Sequence, residues 1–267
     1  MRNCHRCQKK NGIFLCKITT ITPLAPVTHV TGIACGNGWL SNGKYCGIAP
    51  MAQIVSVKIL DRLGQGNSAH AVAALRWIMD NARKYNIRVV NLSIGTNDRK
   101  VNLPLKDAVE RLWRRGIVVV AAAGNPDGRN GHRPPPAVSN GGDVICVGAW
   151  EDRAYFQTPS FSLFTKEENN LPDIWAPGED IVSTLSPDYE FSLPNRHPQN
   201  ITDTHYIRMS GASMATPLIS GAAALLLEKY PRARPEEIKH LLLQAAAANG
   251  NLIDRKTCLE LSRKVVT

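Results

Sequence analysis

Four short runs rich in valine and isoleucine, at 52–60, 87–94, 116–123 and 143–149, alternate with segments whose apolar residues recur at helical spacing. Runs of this length suit strands buried on both faces, the state of parallel strands joined by crossover helices. The pattern predicts an α/β fold, a doubly wound parallel sheet flanked by helices. Ser68 opens the first crossover helix, with Val72, Leu75, Ile78 and Met79 along one face. A second, 105–115, turns Val109 and Leu112 inward and carries Arg114 and Arg115 near its C-terminus, where the helix dipole favours cations. Pro235 begins a last helix through Ile238 and Leu241 to Ala247, because the N–H that proline lacks has no partner in a first turn. Long loops are expected at 125–142 and 186–206.

Chemistry concentrates at Met209-Ser210-Gly211-Ala212-Ser213-Met214-Ala215-Thr216-Pro217, which runs into the apolar helix 218–227. A serine beside a glycine where a helix begins sits among unpaired N–H groups and partial positive charge, the environment that nucleophilic acyl transfer needs for its oxyanion. Upstream lie Thr28-His29-Val30-Thr31-Gly32, Gly47-Ile48-Ala49-Pro50, Val89-Val90-Asn91-Leu92-Ser93-Ile94-Gly95 and Ala121-Ala122-Ala123-Gly124-Asn125, with Pro172-Asp173-Ile174-Trp175-Ala176-Pro177-Gly178 between them and the serine. In this order the segments resemble the subtilisin-like serine proteases, or subtilases, over residues 28–245. The resemblance implies a serine endopeptidase of peptide or protein substrates; no cofactor or metal is expected in this chain. Ser213 is then the nucleophile, and Asn125 with the Ser213 N–H holds the oxyanion. Ser93, Ile94 and Gly95 align substrate as an added β-strand, and Ala122, Ala123 and Gly124 wall its side-chain pocket.

The resemblance stops at the residues that activate the serine. The family's motif His-Gly-Thr-His-Val-x-Gly places the catalytic histidine three residues before His29, where this chain has Pro26, with Val27 in place of the glycine. The aspartate has no counterpart, because residues 1–60 contain no Asp or Glu and Asp61 is the first. His29 is no substitute: three helical residues mean a rise of about 4.5 Å and a rotation of about 300°. It is expected to be a structural histidine on the first turn of a packed helix, and His5 lies in a tail with no family likeness. Ala212 and Leu218 stand where the family usually has threonine and histidine. A sheet without its aspartate-bearing strand leaves neighbouring backbone groups unpaired, each costing about 1–3 kcal/mol if buried. Residues 18–24 are the only local candidate to fill that gap. The expectation is a non-matching basic, cysteine-containing segment, 1–25, followed by an N-terminally incomplete subtilase domain, 26–267. With the triad incomplete, little or no activity is expected; the alternatives are a pseudoprotease that binds extended peptides and a non-functional fragment.

Composition bounds the partners. The net charge of +10 is uneven, since residues 1–60 hold seven Lys and Arg and no acids. A basic segment of this kind without a groove-reading motif argues against a nucleic-acid function. Seven cysteines at 4, 7, 16, 35, 46, 146 and 258 form no framework spacing, which points to reduced thiols. No apolar run resembles a signal peptide or approaches a membrane span, so a cytoplasmic setting is expected if Met1 is the true start. Cys4-His5-Arg6-Cys7 with Cys16 lacks a second ligand pair for zinc, and the loop 35–45 offers no acidic calcium ligand. Oligomeric state is not legible.

Overall fold

The computed structural model describes residues 17–22, 24–59, 66–94, 103–124, 143–150, 172–187, 198–248, 250 and 252–263. Its centre is a six-stranded parallel sheet in the order β2-β1-β3-β4-β5-β6, formed by β1 (Lys17–Thr22), β2 (Gln53–Lys58), β3 (Ile87–Leu92), β4 (Val118–Ala122), β5 (Ile145–Trp150) and β6 (Ile174–Pro177). A small antiparallel sheet, β7-β9-β8, follows from β7 (Ile181–Thr184), β8 (Ile201–Asp203) and β9 (Tyr206–Met209). The helices are α1 (Leu24–Cys35), α2 (Ser68–Tyr85), α3 (Leu103–Arg114), α4 (Ala212–Lys229), α5 (Pro235–Ala247) and α6 (Arg255–Arg263).

The expected gap in the sheet is filled. β1 pairs in parallel with β2 from Lys17↔Gln53 to Thr22↔Lys58 and with β3 as far as Ile21↔Leu92. Five of its six residues, Ile18, Thr19, Thr20, Ile21 and Thr22, are β-branched and so favour a strand. A segment set apart by composition thus supplies a central strand, and the sheet backbone is continuous from β2 to β6. Two other expectations change. β2 is exposed, not a buried strand, because among the described strands only β1 pairs with it. The region 186–206 contains β8 and leads into β9. Those strands are three and four residues long, too short to leave a periodic signal. Residues 125–142 lie outside the described residues. α6 was also not anticipated, since Arg255-Lys256-Thr257-Cys258-Leu259-Glu260 shows little apolar patterning and Cys258 is its fully buried residue.

Local chemistry explains the helix ends. The Asn67 side chain accepts the His70 N–H at 2.9 Å to start α2, and Asn86, at φ 51°, stops it. At α5, Glu237 accepts the Arg234 N–H at 2.7 Å. Lys239 then fastens α5 to the sheet: its ammonium lies 3.0 Å from Asp173 and donates to the Val144 carbonyl at 2.7 Å, while Asp173 accepts the Cys146 N–H.

Around α4 the rest is arranged. Fifteen of its 18 residues, Ala212 and Met214 through Leu227, are buried. It packs on β3 to β6 and against α1, α5 and α6, while α2 and α3 pack on each other and on β3 and β4. Small side chains allow the close approach. A Cβ on Gly221 would lie 2.6 Å from the Ile48 Cβ, and Ile48 is itself buried. Gly221→Ala is therefore expected to destabilise the domain by about 1–3 kcal/mol through overpacking. Chemical denaturation should show a lower midpoint with an unchanged slope.

Candidate active site

The serine sits where α4 begins at the C-terminal ends of β3 and β4, the edge at which open parallel sheets place their ligands. Gly211 precedes the helix at φ 140° and ψ 168°, a conformation that favours glycine. Its carbonyl accepts the Met214 N–H at 2.9 Å and begins the helical ladder. Ser213, half-buried, thus lies in a first turn whose N–H groups have no intrahelical acceptor.

A proline inside α4 creates a demand that this site satisfies. Pro217 has no N–H to give to the carbonyl four residues back, which belongs to Ser213. The Ser93 hydroxyl donates to that carbonyl instead, at 3.0 Å. Ser93 in turn accepts from the Asn91 amide at 2.9 Å, and the Ser220 hydroxyl donates to Asn91 Oδ1 at 2.8 Å. Asn91, Ser93 and Ser220 are all buried, so these hydrogen bonds lock the end of β3 to the first three turns of α4. The Ser213 hydroxyl makes only a long contact with the Ser93 carbonyl, at 3.5 Å. Among the described residues it meets no imidazole and no carboxylate.

The expected cleft residues gather here in part. Ser93 and Ile94 extend β3, and Ala122, Ala123 and Gly124 end β4 beside them, the two strands being in register through Leu92↔Ala121. Ala122 to Gly124 are buried, Ala123 N–H donates to the Val147 carbonyl at 2.9 Å, and Gly124 turns at φ 91°. The Ser93 hydroxyl is committed to the Ser213 carbonyl. Gly95 and Asn125, with His5 and the Cys4, Cys7 and Cys16 group, lie outside the described residues. Cys35, Cys46, Cys146 and Cys258 form no disulfide. Among the described residues no cluster of three His, Cys, Asp or Glu gathers to hold a metal. No described helix is long and apolar enough to cross a membrane.

His29 lies in the second turn of α1, one turn further in than expected, and faces the small sheet. Its Nε2–H donates to the carbonyls of Ile181 at 3.0 Å and Ile207 at 3.1 Å, and its Nδ1 is buried without a partner. Burial lowers its pKa to about 4, against the weaker opposing effect of the two carbonyls. The carbonyl of His29 accepts from Ser183, and that of Thr28 from Thr184, so α1 is fastened to β7 from both sides. Pro26, where the resemblance puts the base, belongs to the first turn of α1, a turn that tolerates proline. The Asn91–Ser93–Ser220 chain was not anticipated, although Pro217 was its signal. A proline beyond the first turn orphans one carbonyl, and a donor must reach it from elsewhere in the fold.

Two outcomes follow. Ser93→Ala should cost about 1–3 kcal/mol, and should cost less in a Pro217→Ala background, where the restored N–H reaches the Ser213 carbonyl. Urea midpoints of the four proteins measure the difference. For His29 the folded pKa lies below the unfolded value, so between pH 6.5 and about 4 the unfolded chain binds the additional proton. Its contribution is present above pH 6.5 and lost as pH falls to about 4, amounting to about 3 kcal/mol. Replacing His29 by Gln should flatten that part of a stability-versus-pH curve.

Residues 27–258 match the family model Peptidase_S8, described as the subtilase family. The chain is 34% identical over 236 residues to serine protease AprX of Bacillus subtilis (strain 168), covering 80% of this chain and 51% of that protein. It is 30% identical over 228 residues to subtilisin DY of Bacillus licheniformis, covering 84% of this chain and 71% of that protein. The chain spans about half the length of the first curated relatives it matches. Among solved structures, sphericase superposes with a TM-score of 0.68 at 21% identity over 90% of this chain and 87% of that one. Fervidolysin from Fervidobacterium pennivorans superposes with a TM-score of 0.69 at 22% identity, over 93% of this chain and 43% of that one. With a serine at the mouth of a parallel sheet and a family match over most of its length, the chain belongs to the subtilase family of serine proteases.

Proposed function

We propose that the polypeptide 1–267 is a subtilase-lineage domain that holds extended peptides at the ends of β3 and β4 and does not cleave them at an appreciable rate on its own. The observation that carries this reading is the environment of Ser213, whose hydroxyl touches the Ser93 carbonyl and, among the described residues, no proton acceptor of suitable pKa. Acyl transfer from a serine needs a base to take its proton, a group to orient that base, and donors for the oxyanion. The helix N-terminus supplies part of the third requirement. The first is unmet at Pro26, whose amide nitrogen accepts no proton. The second is unmet in residues 1–60, which hold no carboxylate. In a subtilisin, loss of the histidine alone costs on the order of a million-fold in turnover; that magnitude belongs to the relative.

Peptide binding does not need the base. Residues 93–94 and 123–124 continue the chain from the paired ends of β3 and β4, and pairing with an added strand requires backbone groups alone. Peptidase assays, fluorophosphonate labelling and a thermal melt on one preparation test the reading, with Ser213→Ala as control. The expected result is a cooperative melt, no Ser213-dependent labelling, and peptide binding that survives Ser213→Ala. A turnover above about 1 per second that Ser213→Ala abolishes would overturn it and restore the endopeptidase reading. Absence of a cooperative transition would favour a non-functional fragment.

A further inference from the structure

Between α1, α4, β7 and α6 lies a cavity of about 690 Å³, within the size range of small-molecule sites. Its inner wall is aliphatic, built by Ile33 of α1, Ile48, Leu218 of α4 and Ile181 of β7. The hydroxyls of Ser183 and Thr184, which also line it, already donate to the carbonyls of His29 and Thr28. A polar group placed against this wall finds those hydroxyls spent, so the wall suits an apolar body. Tyr45 and Tyr206 add two rings whose centroids lie 4.7 Å apart. The rim, by contrast, is charged: Lys44 and Lys256 are exposed, and Asp254 and Glu260 are half-buried. Asp254 is engaged at the start of α6, where its Oδ1 accepts the Thr257 N–H at 2.7 Å. The other three make no ion pair among the described residues. Lys256 and Glu260 stand one turn apart on α6, the spacing at which such a pair usually closes. Left open, they present separate charges of opposite sign to the same cavity.

We propose that this cavity binds a free α-amino acid with a large apolar side chain. The ligand's carboxylate lies between the Lys44 and Lys256 ammoniums, its α-ammonium meets Glu260, and its side chain enters against the aliphatic wall and the two tyrosine rings. Each charge of the ligand then faces an opposite charge that the protein leaves unpaired, and the apolar body leaves water. Charge complementarity selects this zwitterion over its neighbours in chemistry. A dianionic head such as a phosphate monoester would stand beside Glu260 and Asp254, and a simple acid or amine would leave part of the rim unmatched. The site is separate from the Ser213 cleft, because none of its lining residues belongs to 93–94, 122–124 or 213. A free amino acid also has no peptide group with which to add as a strand there.

The test uses polypeptide 1–267 and L-phenylalanine, with three analogues: 3-phenylpropionate lacks the ammonium, phenethylamine lacks the carboxylate, and L-alanine lacks the ring. Isothermal titration calorimetry measures binding, and hydrogen exchange locates it. The expected result is that phenylalanine binds, slows exchange at 181–184 and 256–260, and binds more tightly than any of the three analogues. Lys256→Gln and Glu260→Gln should each weaken phenylalanine by about fivefold. Leu259→Trp, which fills the cavity, should abolish binding. Thermal melts matching the parent confirm that the glutamine variants fold, and they carry the test if Leu259→Trp does not. No heat at millimolar phenylalanine overturns the proposal. Binding of 3-phenylpropionate or phenethylamine as tight as that of phenylalanine also overturns it, leaving a pocket indifferent to the paired charges. Slowed exchange at 93–94 in place of 181–184 overturns it by assigning the ligand to the Ser213 cleft, whose peptide-binding reading stands on its own assays.

Discussion

Burial of α4 is the constraint on which this domain depends. A helix with 15 of its 18 residues withdrawn from water must be surrounded, and β3 to β6, α1, α5 and α6 do the surrounding. Its sequence is apolar on every side, so it can occupy only the middle of a layered structure. The same helix carries Ser213 at its N-terminus. Packing thereby fixes where the serine emerges, at the mouth of the sheet. Pro217 ties the two roles together, because the carbonyl it leaves unpaired is Ser213's own and the donor that satisfies it comes from the end of β3.

The large sheet separates what a fold requires from what a reaction requires. A strand between β2 and β3 needs extended backbone and residues tolerant of it, and Lys17–Thr22 meets that need with five β-branched residues. A catalytic strand needs a carboxylate at one position as well, and no side chain in this segment supplies one. α1 behaves likewise. It carries Pro26 in its first turn and His29 in its second, and His29 is spent on joining α1 to β7 and β9. Architecture is met by any residue of suitable shape, whereas proton transfer is met only by particular atoms.

Much of this was legible in the residues. Pro235 to Ala247 forms the expected helix with the expected ends, because proline at the start and the apolar spacing are both local signals. The strands at β3, β4 and β5 follow from Val and Ile runs buried on both faces. Ser213, Ser93 and the end of β4 were read from motifs whose order along the chain matches the order of elements around the site. What was not legible depended on partners distant in sequence: β1 gains its place only when β2 and β3 flank it, and β8 is too short to show a period.

The sequence by itself determined the alternation of strands and helices, the serine at a helix start, and the lack of an acid in the first 60 residues. These are properties of composition and local spacing, which need no third dimension. Only the tertiary structure decided that residues 17–22 join β2 to β3, that β2 is the outermost described strand, and that His29 faces two carbonyls instead of the serine. It also decided that Ser93 serves the Ser213 carbonyl. Each of these depends on which backbone groups find partners across more than a hundred residues or between non-consecutive strands, and hydrogen bonding at that range is set by packing, which no local pattern encodes.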